Sequence, residues 1–385
     1  MNTHGFVSRS VLVTAAALAC IPVTSALADG ATVSYSPRAR DYASSIDYVN
    51  AKPFPLPQAD SPSEPMDDRG LMGEGEGNPG YEPGAPGTGQ INPVRVIPVG
   101  LLDDTLDLEP EAFGTSQHPF TTSRVDLGSQ NEVSKLYPYR AAGKLFFKIG
   151  SDSYVCSASL IKNGLVVTAA HCVSEFGKGK YYTGFEFHPA YFNGVSPYQK
   201  WTAKRVRVMA SYLNGTDPCS QAPVVCTNDI AVISLNPISG KYPGPSTGYL
   251  GFGWDGFGFN GSGIANGNKA LLSQLGYPVS HDQGKLMQRT DSQGFTDSTK
   301  VNNTVWGSRQ TGGSSGGPEV VNLGKAAVLS GTELGSEADW NVVVGVSSWG
   351  SNDSKVKQMG ASPFLSTNIK VLVDQECASS NPACK

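Results

Sequence analysis

The sequence predicts an all-β fold, a sandwich or barrel of short antiparallel strands, and three observations predict it. After Tyr137, short apolar runs recur between Gly, Asn and Pro, as at Lys144–Ile149, Leu165–Ala169, Ile230–Leu235 and Val342–Ser347. Helical spacing emerges only near Thr367–Glu376, where Ile369, Val371, Leu372 and Val373 lie among polar residues before Cys377. About 250 residues of this texture suffice for two small β-barrels sharing an interface. No internal repeat of the solenoid or propeller kind is present.

The N-terminus reads differently. Arg9, an apolar run from Val11 to Val23 and the small-x-small triplet Ala26-Leu27-Ala28 form a secretory signal peptide over residues 1–28. That run falls short of the ~20 apolar residues of a membrane span. Ala17-Leu18-Ala19-Cys20 only faintly resembles a lipidation site, because the preferred Leu three positions before the Cys is absent.

Residues 29–124 form an acidic leader. They hold 15 acidic and 6 basic side chains, whereas residues 125–385 hold 18 and 22. This charge split suits an inhibitory or folding-assisting propeptide, or a solvated linker. From Asp29 to Gly89, runs such as Gly73–Gly80 and Tyr81–Gly87 are too rich in Pro, Gly and acids to bury much apolar surface. A largely disordered leader is therefore expected. Asn92–Val99 reads as one extended segment that docks on the domain beginning at residue 125. No Lys/Arg-rich stretch argues for nucleic acid.

Once Cys20 leaves with the signal, six cysteines remain in an exported chain, so disulfides are expected. Sequence alone leaves the pairing open. Each neighbouring pair, Cys156-Cys172, Cys219-Cys226 and Cys377-Cys384, closes a short loop. No CxxC element or His-rich cluster supports zinc, and no metal or cofactor is expected.

Chemistry concentrates in three motifs. Thr168-Ala169-Ala170-His171-Cys172 supplies a base, Asn228-Asp229-Ile230-Ala231-Val232 a carboxylate, and Gly312-Gly313-Ser314-Ser315-Gly316-Gly317-Pro318 a hydroxyl in a glycine-rich loop. A serine hydroxyl is a poor nucleophile near neutral pH. It needs an imidazole to take its proton and a carboxylate to hold that imidazole's tautomer. The order His, Asp, Ser is that of the chymotrypsin barrels and of neither subtilisin nor the α/β-hydrolases. His118, His188 and His281 lack comparable flanking sequence, and His4 leaves with the signal.

Tyr154–Ile161 followed by Val166–Cys172 resembles the segment that leads to the base histidine in the chymotrypsin-like (trypsin-like) serine proteases, with a disulfide beside it. Tyr137-Pro138-Tyr139-Arg140 and Gly276-Tyr277-Pro278 look like the bacterial glutamyl-endopeptidase branch. The resemblance covers roughly residues 125–377. It implies two antiparallel six-stranded barrels, a short C-terminal helix and a cleft between the barrels. It also implies His171 as general base and acid, Asp229 as its orienting partner, Ser315 as nucleophile, and the Gly313 and Ser315 N–H groups as oxyanion hole. Ser348-Trp349-Gly350 matches the segment that pairs with substrate as an added strand and borders the primary-specificity pocket.

Two departures bear on activation and specificity. Ser314 stands where trypsin has the aspartate that pairs with a new N-terminal amine, so activation in that form is not expected. Cleavage after Arg124 to expose Val125 is expected from the composition shift. Arg309 occupies the pocket-floor position in place of trypsin's aspartate, which disfavours cleavage after Lys or Arg. Ser347 replaces the histidine of the glutamyl branch, while Arg309 with Gln310 offers an alternative positive pocket for acidic residues.

Gly248–Phe259 alternates aromatics with glycines and reads as a loop or hairpin pinned by aromatic packing, or as a cleft lining. The expected function is a secreted serine endopeptidase, extracellular or periplasmic. It would be made as a precursor with a propeptide in cis, free of the membrane after signal removal, monomeric, and active on protein or peptide substrates. A catalytically silent binding protein on the same fold and an esterase-type acyl hydrolase are the alternatives. The former usually lacks a triad member, and the latter would prefer esters to amides.

Overall fold

Turn chemistry closes the first hairpin: Ala142–Ile149 (β1) and Asp152–Lys162 (β2) pair antiparallel from Ala142↔Ser159 to Ile149↔Asp152. Gly150 supplies the left-handed turn at φ 62°. The strands belong to a computed structural model that describes residues 1, 31–60, 79–98, 112–113, 119–126, 132–259, 269–297, 301, 303–324 and 340–385. Residues 2–28 of the expected signal peptide, with Cys20, the leader run 73–78 and His118 lie outside the described residues.

Leu165–Thr168 (β3), Thr183–Pro189 (β4), Trp201–Met209 (β5) and Ala231–Leu235 (β6) complete the first barrel. Its order is β5-β4-β1-β2-β3-β6, closed antiparallel by β5 on β6. Leu145, Phe147, Leu160, Val166, Phe185, Phe187, Val206 and Val232 fill it. The second barrel comprises Lys269–Gly276 (β7), Gln288–Asp297 (β8), Asn303–Gly307 (β9), Pro318–Val321 (β10), Val342–Ser351 (β11) and Gln358–Ala361 (β12). Its order is β7-β10-β11-β12-β9-β8, closed by β8 on β7. The expected pair of six-stranded barrels is thus observed, and each of the four apolar runs forms a strand, with Ala169 and Ile230 just outside theirs.

The C-terminal helix, Ile369–Cys377, starts where the Asn368 side chain accepts from the Ile369 N–H. Its buried Glu376 is satisfied by Arg205 Nε at 2.8 Å, Arg207 Nε at 3.1 Å and Ser234 Oγ at 2.7 Å. That pairing offsets the cost of taking a carboxylate out of water. Disulfides join Cys156 to Cys172, Cys219 to Cys226 and Cys377 to Cys384.

Two long stretches of the leader, 31–60 and 79–98, lie along the barrels, extended in part and broken by a 3-10 turn at Ala39–Tyr42, so the expected disorder does not reach them. The barrels supply strand edges to a chain that could not satisfy its own backbone. Thr32–Tyr35 pairs antiparallel with β5, and Gly80–Glu82 with Gly251–Trp254. The latter strand, inside the aromatic-glycine segment, also adds to β11, and its Phe252 is buried. It is therefore a packed element. Val94–Arg95 pairs with Val195–Ser196, as one docked extended segment. Phe120–Arg124 pairs with β8, and the Val125 N–H donates to Met287 O at 3.0 Å. Arg124 Nε donates to Asp282 Oδ2 at 2.8 Å, so the expected cleavage point is the end of a paired strand.

Candidate active site

β3 ends at Thr168, and a single tight turn, Ala170–Cys172, carries His171 out of the first barrel. The Cys156–Cys172 bond ties this turn back to β2. Asp229 arrives from the other side, between the Cys219–Cys226 hairpin and β6. Its backbone is fixed by Ser362 Oγ, which accepts from the Asp229 N–H at 3.1 Å and donates to Cys226 O at 2.7 Å. Asp217 accepts from the N–H of neighbouring Asn228 at 2.8 Å.

The two side chains meet. His171 Nδ1 lies 2.7 Å from Asp229 Oδ2, while the His171 N–H donates to Oδ1 at 2.8 Å. Ser348 Oγ donates to Oδ2 at 2.5 Å. Burial alone would push the Asp229 carboxyl up, but His171 and the hydrogen bonds from Ser348 and the His171 backbone hold it below the usual carboxylate range. An ionised carboxylate only accepts hydrogen bonds, so Nδ1 carries the imidazole proton and Nε2 presents its lone pair.

Ser315 sits in a loop that only glycine permits. A Cβ on Gly316, at φ 77°, would fall 2.0 Å from Thr168 Oγ1 and 2.5 Å from Ser157 O. The Gly312–Gly317 loop is thereby pressed onto the strand end that leads to His171. Ser157, in β2 beside Cys156, stitches it there. Its N–H donates to Ser315 O at 2.7 Å, its Oγ donates to Gly313 O at 2.8 Å, and the same Oγ accepts from the Tyr277 N–H at 3.0 Å. Nothing in the sequence motifs singled out Ser157; its place next to Cys156 in a strand was the one signal. Ser315 Oγ and His171 Nε2 are both buried and without a hydrogen-bond partner among the described residues. The Gly313 N–H, at φ 92°, donates to Phe54 O of the leader at 3.1 Å.

The remaining expected site residues separate into those on the cleft and those packed behind it. Gly350, at the end of the Ser348-Trp349-Gly350 segment, donates its N–H to Pro57 O at 2.8 Å. Trp349 is fully buried, with Nε1 donating to Asn303 Oδ1 at 2.7 Å. Arg309 is half-buried, whereas Gln310 is buried and donates from Nε2 to Thr290 Oγ1 at 3.0 Å. Ser347 bridges Glu319 Oε1 at 2.8 Å and Gln274 Nε2 at 2.9 Å. Ser314 Oγ donates to Thr311 O at 2.8 Å. Two triads of metal-type ligands, Cys156/His171/Cys172 and Asp217/Cys219/Cys226, each consume their sulfurs in a disulfide, leaving no thiolate to bind an ion. His188 lies buried in the first barrel 2.6 Å from Ser196 Oγ, and His281 Nδ1 is 2.8 Å from Ser280 Oγ.

Residues 130–370 match the trypsin family. The chain belongs to that family. The protease is accordingly a serine endopeptidase of the hydrolase class, as the sequence analysis expected. Among solved structures it is similar to the protease Anisep from Arthrobacter nicotinovorans, at 26% identity and a TM-score of 0.48, covering 62% of this chain and 96% of that one. It is also similar to the thermostable serine protease AL20 from an extremophilic microorganism, at 21% identity and a TM-score of 0.47, covering 63% and 98%. A Glu endopeptidase in complex with MPD gives 15% identity and a TM-score of 0.45, covering 66% and 96%. No curated protein matches the protease. Among the described residues no helix is long and apolar enough to cross a membrane.

Proposed function

We propose that the protein is a secreted endopeptidase, made as a precursor, that cleaves protein or peptide substrates through a Ser315–His171–Asp229 triad. His171 Nε2 takes the Ser315 proton as Oγ attacks the scissile carbonyl, and Asp229 stabilises the imidazolium that forms. The Gly313 and Ser315 N–H groups receive the developing oxyanion, each worth about 3 kcal/mol in the transition state. His171 then gives its proton to the departing amine, and water resolves the acyl-enzyme by the reverse relay. Apart from the hydrolytic water, every step uses side chains and backbone of this chain, with no cofactor.

One observation carries the reading: Nδ1 is committed to Asp229, while Nε2 and Ser315 Oγ are buried and unengaged. A buried donor and acceptor left unpaired cost stability in any fold that does not use them. Arg309 at the pocket-floor position argues against a basic residue before the scissile bond. Maturation would remove the leader, with the bond after Arg124 reached only once Phe120–Arg124 leaves β8.

A fluorophosphonate is expected to label mature protein stoichiometrically, with the label on the Ser315 peptide and none on Ser315→Ala. Folded, leader-free protein that takes no label would refute the assignment. Hydrolysis of esters without amides would redirect it to an acyl hydrolase.

A further inference from the structure

We infer that leader residues 52–60 are an intramolecular inhibitor seated along the whole cleft in the direction opposite to a substrate. This inference rests on the proposed reading of the site. Lys52–Pro53 adds in parallel to Tyr154–Val155, and the Phe54 N–H donates to Val155 O at 2.9 Å. Phe54 O then accepts from the Gly313 N–H at 3.1 Å, the donor assigned to the oxyanion. Its ring stacks on His171, with centroids 5.8 Å apart and planes at 21°, in a box completed by Phe147, Tyr154 and Tyr182. Further along, Pro57 O accepts from the Gly350 N–H at 2.8 Å, and Gln58–Ala59 pairs in parallel with Gly350–Ser351. Leu56 packs on Gly350, where an added Cβ would meet Leu56 Cδ2 at 2.7 Å, and Ala59 is buried in a cluster with Trp349. The oxyanion donor, the base and the substrate-pairing edge are thus all covered by nine consecutive residues.

Direction is what separates this segment from a substrate. The residue before a scissile bond enters the pocket bordered by Ser348–Gly350, so a substrate's acyl portion lies along that edge. Its chain therefore runs from Gly350 toward Gly313. The leader runs from Gly313 toward Gly350, which is why both of its pairings are parallel. The nitrogen following the Phe54 carbonyl consequently starts the stretch that leads to the pocket edge, and it belongs to Pro55, which has no N–H. Prolines 53, 55 and 57 hold the segment extended before it docks, which lowers the ordering cost of binding. The result is occupancy without turnover.

The test uses the full-length chain and its Phe54→Asp/Leu56→Asp variant, with fluorophosphonate labelling followed over time. The variant should label Ser315 at least about tenfold faster, because two apolar anchors are lost. A synthetic peptide of residues 50–60 should return it to the slow rate and emerge uncut by mass spectrometry. A Pro55→Ala peptide should inhibit and stay uncut as well, since orientation rather than proline protects it. Equal labelling of both chains overturns the inhibitor while leaving the triad standing. Cleavage of either peptide between 52 and 60, with matching loss of inhibition, overturns the reversed seating. Label absent from Ser315 in both chains overturns the triad and the inhibitor together.

Discussion

The two halves of the site are held by different kinds of bond. His171 and Asp229 are fixed by side chains: Oδ1 takes the His171 N–H, and Oδ2 takes Nδ1–H and the Ser348 hydroxyl. Ser315 is fixed through backbone. Its carbonyl and that of Gly313 are held by Ser157, and Gly316 occupies a position that any Cβ would close. The contrast teaches where each half is vulnerable. The acid-base half fails when a functional group changes its donor or acceptor character. The nucleophile half fails when the loop moves by a fraction of an ångström.

Asp229→Asn should break the first half while leaving the base itself in place. The amide offers a donor where Nδ1–H needs an acceptor, so the tautomer is lost and kcat should fall by roughly 10⁴-fold. Steady-state kinetics on a peptide amide measure it; a loss under about tenfold would mean the carboxylate does not set the tautomer. Ser157→Ala should sharpen the second half. It frees the Gly313 carbonyl and strips the Tyr277 N–H of its acceptor, so kcat should fall about ten- to a hundredfold, with KM moved far less. Ser157→Thr, which keeps the hydroxyl, should recover part of kcat. An effect on KM alone would assign Ser157 to binding.

The smallest effects concern buried charge, and here the two barrels should respond in opposite directions. Burial pushes the Glu319 carboxyl well up, against a single bond from Ser347. The folded state therefore holds a proton that the unfolded state releases above pH ~4.5, and stability falls as pH rises beyond that. Glu319→Gln should abolish the fall, raising Tm near pH 8 and leaving it unchanged near pH 4. Lys144 in the first barrel is buried with Nζ donating to Gly284 O at 2.8 Å, and burial pulls it down to about 7. Its unfolded state binds the extra proton between pH ~7 and ~10.5, so stability rises with pH over that window. Lys144→Met should flatten the rise. Thermal scans across pH check both, and parallel slopes in parent and variants would contradict the assignments.

Much of this was legible in the sequence because short apolar runs and the glycine-rich loop obey local rules. The runs at 144–149 and 342–347 became β1 and β11, and the His171 and Asp229 motifs met as their order implied. The partnership of Ser157 was not legible, since a serine in a strand carries no local sign of the loop it holds. Nor was the seat of Lys52–Asp60. A Pro-rich segment with little to bury reads as disordered until a cleft supplies the aromatic box around Phe54 and the edge at Gly350. Gln310 was singled out by position alone; its Nε2 is engaged by Thr290, while its buried Oε1 has no partner among the described residues.

The claim that both halves act as one unit is tested most directly by kcat for Ser315→Ala, His171→Ala and the double variant, all on leader-free protein. If His171 serves only to activate Ser315, the double variant should be no slower than Ser315→Ala, with each single loss on the order of 10⁶-fold. Losses that multiply in the double variant would show that the two residues act independently and would contradict the triad.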